Sequence, residues 1–394
     1  MPLPNLKIMS IIGTRPEAIK MAPLLKLLQK TPGVEELLCL TAQHREMLDQ
    51  VLCLFNLTPR YDLNIMKESQ SLTYITARSL EGLEEIIQQE KPQMVLVQGD
   101  TTTTLAGALA AFYHKIPLGH IEAGLRTGDK YAPFPEEINR RLNSVLADLH
   151  FAPTPAAREN LRREGVAEEK IFVTGNTVID ALKTTVRPDY LFPDPILQRV
   201  NFNSSRVLLV EAHRRENWGP PLEEICGALL EILRAFEDTL IIFPVHKNPA
   251  VRGIVYKHLG GHPRAFLLEP LDPLCFHNLM ARSYLILTDS GGIQEEAPAL
   301  GKPVLVLRDL TERPEALQAG TALLAGTRRE NIVKLASRLL RDSAAYSAMA
   351  KAANPFGDGR ASERIRDIIL YYFGRRSTLP EPFDPILDSG NKSL

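Results

Sequence analysis

The stretch Asp289-Ser290-Gly291-Gly292-Ile293-Gln294-Glu295-Glu296 lies between two short apolar runs, Tyr284–Leu287 and Val304–Leu307. No other feature of the chain constrains the fold as much. A run of four apolar residues suits a strand buried on both faces. Thr288-Asp289 stops the first run, and two glycines let the chain turn into a helix that ends near Gly301. Strand, tight turn, helix and strand make one βαβ unit. Such a turn aims free N–H groups and the positive end of the helix dipole at the mouth of the sheet, which favours a phosphate. Glu296, one turn on, is placed to accept hydrogen bonds from ribose hydroxyls. The alternative is a helix start in which Ser290 and the glycines only cap. A motif this short does not choose between the two.

The sequence has 394 residues, enough for two α/β domains with separate cores. Its formal net charge of −1 offers no basic surface to nucleic acid or anionic lipid, so neither is expected as a partner and any anion site must be local. Cys39, Cys53, Cys226 and Cys275 are widely spaced without a CxxC pair, and buried free thiols in a reducing cytoplasm are expected. The first apolar run, Ile8–Ile12, is too short for a signal peptide, and no stretch is long enough to span a bilayer. A cytoplasmic location follows as an expectation.

A first Rossmann-like domain is expected over residues 1–186. Its first strand, Lys7–Ile12, leads to the corner Gly13-Thr14-Arg15-Pro16-Glu17, with Lys20 one helical turn on. The GxGxxG fingerprint of dinucleotide-binding proteins belongs at such a corner. Only Gly13 is present, which argues against tightly bound NAD. Strands at Met94–Val97 and Pro117–Ile121 place Asp100 and Glu122 near their carboxyl ends, where open α/β sheets bind ligands. The long connection Ala123–Pro135, carrying Arg126, reads as a mobile active-site loop. The helix after it opens with Glu136, Glu137 and Arg140, and acids there also suit the helix dipole.

Residues 187–205 hold three prolines and an Asn-Ser-Ser cluster without apolar periodicity, and read as the domain boundary. A second domain over 206–355 repeats the plan. Its corners carry His213-Arg214-Arg215, His246, Phe276, the glycine turn and Arg313. A last helix over 362–374 is expected to pack back on the first domain, followed by a polar, loosely ordered tail over 376–394. A cleft between two such domains is the default ligand site.

Two kinds of polar group gather at these corners. Arg15, Lys20, His213, the Ser290-Gly291-Gly292 turn and Arg313 suit a diphosphate, and would also stabilise it as a leaving group. Asp100, Glu122 and Glu136 could move protons at a sugar ring or steady an oxocarbenium-like centre. Together they point to cleavage of a sugar–diphosphate bond. Plainer readings stay open: His213 as a corner histidine with its own partners, Phe276 as a core residue. A metal held by His213, His246 and an acid has no ligand-spacing motif behind it, and none is expected.

The ordered set of motifs goes further. Gly13-Thr14-Arg15-Pro16-Glu17-Ala18-Ile19-Lys20, Thr41-Ala42-Gln43-His44-Arg45, Gly99-Asp100-Thr101-Thr102 and His120-Ile121-Glu122-Ala123-Gly124-Leu125-Arg126 follow one another. Then come Pro135-Glu136-Glu137-Ile138-Asn139-Arg140, Gly175-Asn176-Thr177, His213-Arg214-Arg215-Glu216-Asn217, Thr288 through Glu296, and Thr311-Glu312-Arg313-Pro314-Glu315. From Lys7 to about Ile369 the chain closely resembles the bacterial non-hydrolysing UDP-N-acetylglucosamine 2-epimerases. The resemblance implies an α/β GT-B fold of two Rossmann-like α/β/α domains facing a central cleft, usually a homodimer. It implies reversible conversion of UDP-N-acetylglucosamine to UDP-N-acetylmannosamine for surface polysaccharide synthesis, without a cofactor. The route it implies eliminates UDP to leave 2-acetamidoglucal, then adds UDP back with the proton on the opposite face.

Carried over by motif, Asp100, Glu122 and Glu136 are the acid/base and cation-stabilising carboxylates, with His213 among the catalytic groups. Arg15, His213, Ser290, Gly291 and Gly292 would hold the diphosphate and Glu296 the ribose. Lys20, Arg140 and Arg313 would position the substrate, and Phe276 would line the uracil pocket. Gln43 and Gln70 resemble a second, activating nucleotide-sugar site. The sequence departs from the pattern at Ser69, where some relatives have arginine, and at Glu211, where a small or hydroxyl residue is common. The alternatives are an epimerase of a UDP-2,3-diacetamido uronic sugar, a GT-B glycosyltransferase and a non-catalytic nucleotide-sugar sensor. The three carboxylates and the first-domain motifs favour the epimerase.

Overall fold

The computed structural model describes residues 4–43 and 45–385. His44 and the end of the expected tail, 386–394, lie outside the described residues. The chain forms two units, one running to Ala181 and resuming over Phe356–Asp384, the other Leu182–Pro355.

The first unit is built on seven parallel strands: β1 (Leu6–Ile12), β2 (Val34–Leu40), β3 (Tyr61–Asp62), β4 (Met94–Gln98), β5 (Leu118–Ile121), β6 (Leu149–Ala152) and β7 (Ile171–Val173). Their order is β3-β2-β1-β4-β5-β6-β7. β1 is apolar almost throughout because both faces are covered. Leu6, Ile8 and Ile12 join Leu24, Leu25 and Leu28 of the helix Arg15–Gln29 and Ile365 and Ile369 of the helix Ala361–Tyr372. Met9 and Ile11 face the other way, to Leu83 and Ile87 of the helix Leu72–Glu90 and Ala111 of the helix Thr102–Tyr113. Each fully buried leucine contributes roughly 1.5–3 kcal/mol. Asp180 fixes the start of the helix Ala361–Tyr372 by accepting from the N–H groups of Ala361 (3.2 Å) and Ser362 (2.8 Å).

The second unit holds six parallel strands: β8 (Arg206–Glu211), β9 (Thr239–Pro244), β10 (Ala265–Leu268), β11 (Leu285–Thr288), β12 (Val304–Val306) and β13 (Ala322–Leu324). They are ordered β10-β9-β8-β11-β12-β13. In each sheet the order reverses beside the first strand, between β1 and β4 and between β8 and β11. That reversal opens a crevice at the carboxyl ends of the strands. Among the described residues no helix is long and apolar enough to cross a membrane.

Several expectations change. β3 and β13 have no counterpart in the sequence reading, being edge strands of two and three residues. Cys53 is exposed, whereas Cys39, Cys226 and Cys275 are buried free thiols. Residues 187–205, read as the domain boundary, lie inside the second unit. Asn278 accepts from the Arg187 N–H at 2.8 Å, and Arg282 donates to the Tyr190 carbonyl at 2.7 Å. These bonds pin the segment to the helix Pro273–Arg282 of the second unit. The tail is also tied down as far as Phe383. Phe383 is 2% exposed, and its N–H donates to the Val173 carbonyl at 2.9 Å. One apolar ring anchors an otherwise polar segment.

Candidate active site

In the first unit the corner after β1 is organised by Glu17, at the third position of the helix Arg15–Gln29. Its Oε2 accepts from the N–H groups of Gly13 (2.9 Å) and Thr14 (2.6 Å). Its Oε1 accepts from the hydroxyls of Thr101 (2.6 Å) and Thr104 (2.9 Å), just beyond β4. A buried carboxylate therefore stitches the two strands that flank the crevice. Burial holds it above the usual carboxylate range despite these bonds. The corner packs tightly: a Cβ on Gly13 would lie 2.1 Å from Thr103 Oγ1.

Glu122 sits at the end of β5 with φ +64°, a left-handed conformation that is strained for a side chain of this size. Lys20 Nζ lies 2.5 and 2.8 Å from its two oxygens, and Asn176 and Gln98 donate to it as well. Asp100 pairs with Arg140 Nη2 at 2.6 Å. Glu137, fully buried beneath them, accepts from the Thr127 N–H (3.0 Å) and the Gly128 N–H (3.3 Å), tying down the loop expected to be mobile. Arg126 is drawn to Glu164 at 2.6 Å. Glu136 differs from the other acids. Its Oε2 is buried with no hydrogen-bond partner among the described residues. Burial and then the charge of Asp100 raise its pKa, with its own backbone N–H and Arg140 opposing.

Lys20 and Arg140 thus stand against carboxylates, whereas Arg15 makes no ion pair or hydrogen bond among the described residues. Gln43 and Gln70 do meet. Gln70 Nε2 donates to the Gln43 carbonyl at 2.9 Å, and Thr103 donates to Gln43 Oε1 at 3.2 Å.

In the second unit the equivalent stitch is Asp289, fully buried after β11. It accepts from the N–H groups of His213 and Arg214, each at 2.9 Å, and from Asn217 Nδ2 at 2.8 Å. The turn after β8 is thereby pulled over the crevice. His213 stacks on His246 with ring centroids 5.5 Å apart. The ligand atoms of Glu211, His213 and Asp289 lie within 4.8 Å of one another, a spacing that a cation could bridge. Asp289 already accepts from three N–H donors, however, so the group reads as two acids around an imidazole.

The helix Gly291–Ala299 starts beside this cluster. A Cβ on Gly291 would meet nothing closer than 3.8 Å, and one on Gly292 nothing closer than 3.7 Å. Neither glycine has a left-handed φ, so neither conformation nor internal packing demands glycine there. The space beside both is open. Arg313 stands beside Gly291 and pairs with buried Glu295. Glu296 lies beside Gly292 and 3.7 Å from His277 Nε2, whose pKa burial lowers to about 4, leaving that ring neutral. Phe276, half-buried, precedes His277 on the helix Pro273–Arg282.

His213, Ser290, Gly291, Gly292, Glu296 and Arg313 are therefore gathered in the second unit, and Asp100, Glu122, Glu136, Lys20 and Arg140 in the first. Glu17 and Asp289, which hold the two corners, were not among the candidate residues. Glu17 had a signal, since Thr14 and Glu17 have capping-box spacing. Asp289 had only its place at a strand end.

Residues 26–370 match the sequence family described as UDP-N-acetylglucosamine 2-epimerase. A Thermotoga maritima protein provisionally named as such an enzyme is 61% identical over 378 residues, covering 96% of this chain and all of the relative. The Bacillus subtilis UDP-N-acetylglucosamine 2-epimerase is 55% identical, covering 96% of this chain and 99% of the relative. The crystal structure of the Neisseria meningitidis UDP-GlcNAc 2-epimerase bound to UDP-GlcNAc superposes with a TM-score of 0.83 at 49% identity, covering 93% of this chain and all of that one. With this much sequence shared over nearly its whole length, and with two doubly wound parallel sheets of the GT-B class, the chain belongs to the bacterial non-hydrolysing UDP-N-acetylglucosamine 2-epimerase family.

Proposed function

We propose that the protein interconverts UDP-N-acetylglucosamine and UDP-N-acetylmannosamine. The C2 hydrogen of this sugar has no adjacent carbonyl to acidify it, so inversion needs another route. In the route proposed, the C1–O bond breaks and UDP leaves with the electron pair. C2 then loses its hydrogen as a proton to a carboxylate, and a C1=C2 double bond remains. Re-addition of UDP at C1, with a proton delivered to the other face of C2, completes inversion.

The observation that carries this reading is Glu136. A buried carboxyl oxygen without a partner, in a group whose pKa burial raises above the ordinary glutamate value, is placed to carry a proton. Glu136 is assigned proton delivery at C2. Asp100 beside Arg140 and Glu122 beside Lys20 supply negative charge for the developing cation. The second unit is assigned the leaving group, with the Ser290-Gly291-Gly292 turn, His213 and Arg313 at the diphosphate, Glu296 at the ribose and Phe276 at the base. Gln43 and Gln70, already adjacent, are assigned a second nucleotide-sugar site.

The reading includes self-association. Phe112, Tyr113, Leu142 and Val145 are exposed on the helices Thr102–Tyr113 and Glu136–Leu146, a face suited to a second copy. Its cytoplasmic placement follows from the charge of the substrate, which keeps it from crossing a bilayer.

The test is turnover in deuterated water without added NAD or metal. Deuterium should enter C2 of both epimers. Epimerisation without deuterium would rule out elimination, and transfer of the sugar to an added acceptor would make the protein a glycosyltransferase.

A further inference from the structure

Glu211 ends β8, two residues before His213, and its carboxylate is held on both sides. Thr288 Oγ1 donates to its Oε2 at 3.0 Å, and its Oε1 lies 2.8 Å from His213 Nδ1. The oxygen lies off the direction of the ring N–H, so the contact is a close electrostatic approach rather than an aligned hydrogen bond. A second acid, Asp289, approaches the same nitrogen at 3.5 Å. On the other side of the ring, Nε2 makes no hydrogen bond among the described residues.

We propose that Glu211 is a positioning residue that keeps His213 an imidazolium with Nδ1 turned inward, so that Nε2–H is committed, with full positive charge, to the diphosphate of a bound nucleotide. This rests on the assignment of the second unit to UDP. Thr288 keeps the carboxylate from swinging away, and the hydrogen bond from the His213 N–H to Asp289 fixes the backbone of His213 itself. The orientation of the ring is therefore set before any ligand arrives, and its protonated form is favoured by the acids around it. The arrangement exchanges some electrostatic attraction, since an acid stands near an anion site, for a cation that does not depend on the ligand to become charged.

The charged and titratable groups facing His213 are Glu211 from β8, Asp289 from the corner after β11, Arg214 beside it in the chain and His246 stacked on its ring. The Glu211 contact raises the His213 pKa above 6.5, burial opposes it, and Asp289 adds to Glu211 while Arg214 subtracts. The sign follows from the raised value. The imidazolium is complete below the ordinary histidine range and is lost as pH rises through the raised pKa. Without Glu211 it is lost at lower pH.

Two measurements on the full chain decide the matter. UDP affinity by calorimetry is compared between wild type and Glu211→Gln at pH 6 and pH 8.5. The titration of UDP is common to both proteins and cancels in the ratio, and any gain from removing a negative charge acts at both pH values. The ratio of variant to wild-type affinity should fall about tenfold from pH 6 to pH 8.5, the size of one charge-assisted hydrogen bond. A ratio constant within about twofold would overturn the proposal. The second measurement follows the His213 ring by NMR in histidine-labelled protein, assigned with His213→Asn, with His246→Asn as the control for the stacked ring. The His213 titration should move to lower pH in Glu211→Gln. An unmoved titration, or a wild-type ring titrating at or below the ordinary histidine value, would overturn the proposal even if the variant failed to fold. Wild type that binds no UDP at any pH would defeat the functional assignment instead, and the ring titration would still decide the role of Glu211.

Discussion

The two units solve one problem in opposite ways. Each has a parallel sheet whose order reverses beside its first strand, and each bridges that reversal with a buried acid. In the first unit Glu17 accepts from the N–H groups of Gly13 and Thr14, so the place where a phosphate could sit is filled by the protein's own carboxylate. In the second unit Asp289 reaches the turn after β8 instead, and the start of the helix Gly291–Ala299 has no side-chain cap among the described residues. The same topology therefore yields a closed corner ringed by acids and an open corner suited to an anion. Which corner the internal carboxylate satisfies decides which unit can grip a phosphate. The resemblance of the two folds says nothing about that.

The comparison breaks most readily at Glu136. Glu136→Gln should lower turnover about a thousandfold and leave UDP affinity within about threefold, because the proposed function assigns proton transfer to the first unit and nucleotide binding to the second. Equal losses in both would erase the division of labour. A smaller contrast comes from paired glycine substitutions. Gly13→Ala should destabilise the protein by about 2 kcal/mol, since the new Cβ would displace Thr103 from its 2.8 Å hydrogen bond to Thr41. Gly292→Ala should keep or raise the melting temperature and weaken UDP binding about tenfold, since nothing but a ligand needs the space. Loss of stability without loss of UDP affinity at Gly292 would sink the argument from the open corner.

The smallest expected effect is in the pH dependence of unfolding. Burial raises the pKa of Glu17 above 4.5, so its contribution to stability is complete below that value and is lost as pH rises through the raised pKa. Glu17→Gln should remove that slope while keeping most of the hydrogen bonds. Denaturant unfolding of both proteins from pH 4 to pH 8 would show it, and parallel curves would mean that Glu17 titrates normally.

Much of this was legible in the residues, for identifiable reasons. Runs such as Ile8–Ile12 and Leu285–Leu287 announce strands because both faces of a central parallel strand are covered, and nothing polar fits there. Asp100, Glu122, His213 and the glycine turn were legible because strand ends are where polar residues interrupt such runs. Pairings were not legible. Asp100 meets Arg140, and Glu122 meets Lys20, across separations that only the finished sheet closes. Arg140 and Lys20, expected by motif to position the substrate, are therefore partners of the acids as well. The anchored state of residues 187–205 was hidden for a similar reason, because its partners, Asn278 and Arg282, lie on a helix some ninety residues on.

The helix Ala361–Tyr372 carries a consequence for synthesis. It covers Leu24, Leu25 and Leu28, yet it is translated only after every strand of the second sheet. The N-terminal half therefore leaves the ribosome with an oily groove still bare, and its own last layer arrives after an entire neighbour has been made. Any nascent chain halted before residue 361 keeps that groove bare, however complete its first sheet.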